Sequence, residues 1–181
     1  MANPVLAPNP ERVYWDSSTY IDYLTGEHEL HEIMEMVIED WRAGLVTMVT
    51  SALTIAEVFF VRVNGRVIRE RDADIEALLN PPAGARLIVV EMNRVTAYRA
   101  RDLARKAISP PDAIHVASAL EGRCPRMHTN EHALWDKSEE VGGNPVLIIE
   151  PPRWQRQLRA FAGVPNELQQ PSEQSPDDVP E

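Results

Sequence analysis

Four acidic residues, Asp16, Glu57, Asp112 and Glu131, sit where the chain changes from one pattern to another. Asp16 ends the run Val13-Tyr14-Trp15 and precedes Ser17-Ser18-Thr19, which is the place of a helix cap at the carboxyl end of a strand. Asp112 follows two prolines at the start of a helix, Ala113 to Leu120, that is almost bare of charge. Ser109-Pro-Pro-Asp112 also fits the capping-box pattern, so a cap and a chemical site both account for this acid. Glu57 closes Thr54-Ile-Ala-Glu57, a second capping-box match, among Ala56, Val58, Phe59 and Phe60. Apolar surroundings raise the pKa of such a carboxyl unless a cation compensates. Glu131 follows a short strand expected at Arg126–Thr129 and opens the helix through Leu134 and Trp135.

Separate helix caps explain where these acids stand, but not why two of them lie on helices so apolar. Four carboxylates converging without a nearby Lys or Arg repel one another, and a hard divalent cation keeps them ionised. A carboxylate-only set suits Mg²⁺ or Mn²⁺ better than Zn²⁺. One or two such ions orient and deprotonate a water and stabilise the leaving oxygen of a phosphodiester. Two other chemistries are weaker. A phosphatase with Asp16 as covalent nucleophile needs a second acid two residues on, where Ser18 stands. His128 and His132 have i, i+4 spacing but straddle a strand-to-helix junction, which makes a poor metal pair.

The elements that must position these acids follow from the apolar patterning. Strands are expected at Val13–Trp15, Leu45–Thr50, Leu87–Val90, Arg126–Thr129 and Val146–Ile149. Between them the spacing predicts helices at Thr19–Leu24, at the strongly periodic Leu30–Trp41, through TIAEVFFVRV, at Asp72–Asn80, and from about Arg94 to Ile108. A last helix is expected at Trp154–Phe161. The alternation implies an α/β three-layer sandwich with a mostly parallel, about five-stranded sheet and right-handed crossovers. In such sheets a site lies outside the carboxyl ends of the strands.

With 181 residues, 44% of them hydrophobic and 25% charged, the chain can form one soluble domain with a proper core. The single Cys124 excludes an intrachain disulfide framework and makes a reducing cytoplasm the default compartment. The opening MANPVLAPNP lacks the basic and apolar segments of a signal peptide, and no run is long and apolar enough to span a membrane. The reading divides the chain into a lead-in (1–11), a folded domain (12–163) and an acidic tail (164–181) too polar to order itself.

The formal charge of −10 argues at first against a nucleic-acid partner. Five of the 28 acids lie in the tail, which has no Lys or Arg, leaving 23 acids against 18 bases for residues 1–163. The bases cluster: Arg62, Arg66, Arg69 and Arg71 in one stretch, and Arg94, Arg99, Arg101, Arg105 and Lys106 in another. Either cluster could follow a phosphate backbone or simply form a solvated face.

VYWDSSTYIDYL, TSALTIAEVF, SPPDAIHVASAL and HTNEHALW, in that order, resemble the motifs of the PIN-domain ribonucleases, and in particular the VapC-type toxins of toxin–antitoxin pairs. The resemblance covers about residues 12–150 and is most specific in Pro-Asp-Ala-Ile-His-Val-Ala. It implies a Mg²⁺- or Mn²⁺-dependent endoribonuclease acting on RNA, frequently dimeric and often held inactive by a cognate antitoxin. Asp16, Glu57 and Asp112 match the first three family acids, and Thr129-Asn130-Glu131 falls where the family has Thr-x-Asp. Ser17 matches a small hydroxyl residue that supports the site, as Thr129 does in its own motif. Glu131 departs from the pattern, being one methylene longer than Asp. That departure keeps open a second expectation, a non-catalytic PIN-like module that binds RNA or protein.

Overall fold

Val13, Tyr14 and Trp15 are completely buried, as a strand covered on both faces must be. They belong to β1 (Glu11–Trp15), the central strand of a five-stranded sheet. The computed structural model describes residues 10–26, 28–58, 61–63, 66–68 and 72–154, with the backbone alone described at 61–63 and 66–68. β1 pairs in parallel with β2 (Val46–Ser51) and β6 (Arg126–His128). β5 (Arg86–Val90) adds to β2 and β7 (Ile148–Glu150) to β6, both in parallel, giving the order β5-β2-β1-β6-β7.

Helices cover both faces of this sheet. On one side α1 (Ser17–Thr25), α2 (His31–Arg42) and α4 (Asp72–Leu79) pack on Val13, Trp15 and Met48 through Tyr20, Leu24, Met34, Val37, Ile38, Trp41, Ile75 and Leu78. On the other, α5 (Arg94–Ala104), α6 (Pro110–Glu121) and α7 (His132–Trp135) pack on Tyr14, Val49 and Met127. The alternation Val13/Trp15 against Tyr14 is the period of two that sends successive side chains to opposite faces. The three-layer α/β sandwich with a parallel sheet is therefore the observed architecture. No helix among the described residues is long and apolar enough to cross a membrane.

The strands fall within two residues of the positions that patterning predicts. One region differs. In place of a continuous helix through TIAEVFFVRV, α3 (Ala52–Glu57) is short, and β3 (Val61–Val63) and β4 (Arg66–Ile68) form an antiparallel pair. α3 is capped not by Thr54 but by Ser51, whose side chain accepts from Thr54 N at 3.2 Å, so Glu57 stands in the last turn, not the first. The residues between the paired strands are Asn64 and Gly65, the strongest short-range sequence signal for a hairpin. α5 also ends at Ala104, four residues before the expected Ile108, and Ser138–Val141 form an additional short helix, α8. The acidic tail, the lead-in 1–9, the basic residues Arg69 and Arg71 and most of the expected Trp154–Phe161 helix lie outside the described residues. Trp154 itself packs on the α1–α2 side of the core and donates from Nε1 to Asp40 Oδ2 at 2.8 Å.

Candidate active site

Asp16 is the N-cap of α1, held where β1 ends. Its Oδ1 accepts from Thr19 N (2.9 Å), Thr19 Oγ1 (2.9 Å) and Ser18 Oγ (2.8 Å), and the residue is 3% exposed. The single Thr19 hydroxyl proton is shared between Asp16 and the His128 carbonyl, 3.0 Å away, which ties α1 to β6. Three donors on one oxygen fix the direction of this carboxyl group, while its Oδ2 lies outside these bonds.

Glu57 is held by donors from two other helices, α1 and α6. Its Oε2 accepts from Ser17 Oγ and from His115 Nε2, the latter at 3.1 Å. The imidazole, together with the Ser17 hydroxyl, holds the Glu57 carboxyl below the usual range against the opposing pull of burial. His115 is 4% exposed, and its Nδ1 lies 2.9 Å from Tyr14 Oη and 3.4 Å from Ser51 Oγ. Burial drives the Tyr14 phenol far above its ordinary pKa, so it remains protonated and donates to Nδ1. On the other side of the ring, Nε2 faces Glu57 and donates to it.

Asp112 lies in the first turn of α6, capped by Ser109. Ser109 Oγ donates to Asp112 Oδ2 at 2.6 Å and accepts from Asp112 N at 3.4 Å. The cap and the candidate site thus coincide in one residue. Glu131 is the N-cap of α7 but makes no capping bond through its side chain, and it is exposed. Its backbone N donates to Thr129 Oγ1 at 3.0 Å, and Thr129 is fully buried.

All four acids line one open cleft of about 470 Å³ at the carboxyl edge of the sheet, together with Ser17, Ser18, Ile21, Ala56, Pro111 and His115. Sequence reasoning named these acids and Ser17, and the fold brings them to one wall-to-wall space. It does not press them together: among the described residues, no three His, Cys, Asp or Glu side chains are grouped so as to hold one ion. The expected mutual repulsion is relieved here by hydroxyl, amide and imidazole donors, one set for each of Asp16, Glu57 and Asp112. As a donor set the residues fit a hard divalent cation, offering carboxylate oxygens and leaving Asp16 Oδ2, Glu57 Oε1 and Asp112 Oδ1 outside these bonds. His115 is the residue the motif reading left without a role. A polar ring three positions after Asp112, on the buried face of an apolar helix, was the available signal.

The PIN domain family model matches residues 13–137, and the chain belongs to that family. Among solved structures the chain is similar to one in the VapBC2 complex from Rickettsia felis bound to a promoter DNA fragment. The two share 13% identity over 80% of this chain and 99% of that one, with a TM-score of 0.51. It is also similar to a chain in a toxin–antitoxin complex from Klebsiella pneumoniae, at 18% identity over 75% of this chain and 95% of that one, with a TM-score of 0.47. No curated protein sequence matches the chain.

Proposed function

We propose that the chain is a Mg²⁺- or Mn²⁺-dependent endoribonuclease that acts in the cytoplasm as the toxin of a toxin–antitoxin pair. The observation that carries this reading is the single cleft, in a PIN-domain chain, lined by Asp16, Glu57, Asp112 and Glu131 from four different elements. Asp16, Glu57 and Asp112 would hold one or two cations, in part by way of bound water, through the oxygens their protein partners leave open, with Glu131 at the rim. A bound divalent cation supplies the positive charge that acidifies a water and offsets charge on the leaving oxygen of a phosphodiester. The chain's own residues do the positioning. Thr19 and Ser18 fix Asp16, Ser17 and His115 fix Glu57, and Ser109 fixes Asp112. Thr129 sets the start of α7 and with it the direction from which Glu131 approaches.

The test is cleavage of single-stranded RNA in Mg²⁺ or Mn²⁺, reversed by EDTA, with Asp112→Asn as the control. Cleavage that survives EDTA, or an Asn variant with full activity, overturns the reading. The antitoxin is sought by co-expression with the adjacent reading frame and pull-down. Its absence would leave a stand-alone nuclease. The spread of the acids favours one alternative, a PIN-like module that binds RNA or protein without cutting. That module would bind RNA equally with and without EDTA and yield no products.

A further inference from the structure

We propose that the exposed face of α5 is a binding surface for single-stranded RNA, with Tyr98 as a stacking platform between two guanidinium groups. The proposal deepens the ribonuclease reading and rests on it for the identity of the ligand. Arg94, Tyr98 and Arg101 follow i, i+4, i+7 spacing and share one face of the helix. Arg94 Cζ lies 5.8 Å from the Tyr98 ring centroid and Arg101 Cζ 5.2 Å from it, while the tyrosine is 50% exposed. Met92 (48% exposed) and Val95 (59%) extend the apolar surface around the start of the helix.

Charge selects the occupant. Two other bases of α5 and its end are spent within the fold, Arg99 on Glu121 at 2.8 Å and Arg105 on Asp102 at 3.0 Å. Among the described residues no carboxylate pairs with Arg94 or Arg101. In a chain of net charge −10, two cations left unpaired beside an exposed ring are a local reversal of sign. Guanidinium planes and phenol rings stack on unpaired bases, and guanidinium groups also reach phosphates. An apolar peptide would use the ring and leave both charges without partners.

The surface is also connected to the cleft. Tyr98 lies six residues before the end of α5, about 9 Å along its axis, and residues 105–109 then lead directly into α6 with the cleft-lining Pro111 and Asp112. The chain path from Tyr98 to Asp112 bounds their separation at roughly 30 Å, a span that single-stranded RNA of about a dozen residues covers.

The experiment is fluorescence anisotropy of a fluorescein-labelled oligouridine of about a dozen residues, in EDTA so that nothing is cut. Tyr98→Ala is expected to weaken binding about tenfold or more while Tyr98→Phe keeps it. Arg94→Ala with Arg101→Ala should reduce the slope of log K against log salt by about 1.4, or about 0.7 for each lost contact. Thermal melting of each variant should match the parent, since all three side chains are exposed. Unchanged affinity in Tyr98→Ala overturns the proposal, as does parent protein that fails to bind the RNA. A change in mass by sedimentation with Tyr98→Ala also overturns it, because the face would then join protein to protein. RNA bound through Tyr98 but never cleaved with Mg²⁺ or Mn²⁺ would sink the nuclease reading and leave this surface standing. Cleavage with binding indifferent to Tyr98 would do the reverse.

Discussion

The support given to the four acids divides the lining of the cleft into a fixed wall and a loosely held one. On one, Asp16 and Glu57 are held by buried donors that span the molecule: Thr19 reaches β6, and His115 links Glu57 to Tyr14 in the central strand. On the other, Asp112 has a single local hydroxyl, and Glu131 has no side-chain cap bond and stands exposed. A fixed wall can set the geometry of a bound group, and a loosely held wall can adjust to it. Substitutions should therefore behave differently on the two sides.

The largest effect is expected at Asp16. Asp16→Asn keeps an oxygen that can cap α1, so thermal unfolding should shift by less than about 1 kcal/mol. RNA cleavage should nevertheless fall at least about a hundredfold, a loss near 2.7 kcal/mol in the barrier. Asp16→Ala should lose the cap as well, costing about 1–2 kcal/mol in denaturant melts. An Asn variant as unstable as the Ala variant would mean that the carboxylate is structural on this wall.

His115→Ala comes next. It strips a donor from Glu57 and an acceptor from the buried Tyr14 hydroxyl, which should cost about 2–4 kcal/mol in urea unfolding. The double variant His115→Ala with Tyr14→Phe should recover part of this by removing a buried hydroxyl that has lost its ring partner. No recovery would show that packing rather than hydrogen bonding is what the ring contributes.

The fixed wall also has an acid-sensitive support. His128 is fully buried, accepts from Trp15 Nε1 at 3.1 Å, and has no partner for Nε2 among the described residues. Burial, aided by the nearby Arg126 charge, pushes its pKa down to about 3. The unfolded chain binds a proton near its ordinary value of 6.5 while the folded chain resists until about 3. Stability is therefore present above 6.5 and is lost as pH falls through that window, by up to about 1.4 kcal/mol per unit. Melting of the parent and of His128→Gln from pH 7 to pH 4 checks this. Equal pH slopes would place the acid sensitivity elsewhere.

The smallest effect belongs to the open wall. Glu131→Gln should leave stability within about 0.5 kcal/mol and reduce cleavage less than Asp16→Asn does. A loss equal to that of Asp16→Asn would mean that Glu131 closes onto the ligand as a full member of the site.

The same division marks what could be read from the chain. Asp16 and Glu131 were legible because a strand-to-helix junction is a local pattern, and Ser109-Pro-Pro-Asp112 announces its own helix start. The network that distinguishes the walls was not, because Tyr14 and His115 are 101 residues apart and nothing in spacing along the chain pairs them. The region after Glu57 failed for another reason. Val58 to Val63 is apolar but for Arg62, and periods of 2 and 3.6 fit so short a stretch equally well. Asn64-Gly65 was the discriminating signal, and it favoured a hairpin.

The position of β1 has a consequence in time. The central strand is made first, yet one of its two neighbours, β6, begins at Arg126, so Trp15 waits for His128 until most of the domain has been synthesised. Pairing of β1 with β2 closes a far shorter loop and should come earlier. Ribosome-bound chains stalled at residue 121 should thus be cut readily by protease near Asp16, and chains stalled well beyond Glu150 should resist. The cleft is then among the last parts of the fold to form, and a chain still short of Glu131 lacks one of the four acids that line it.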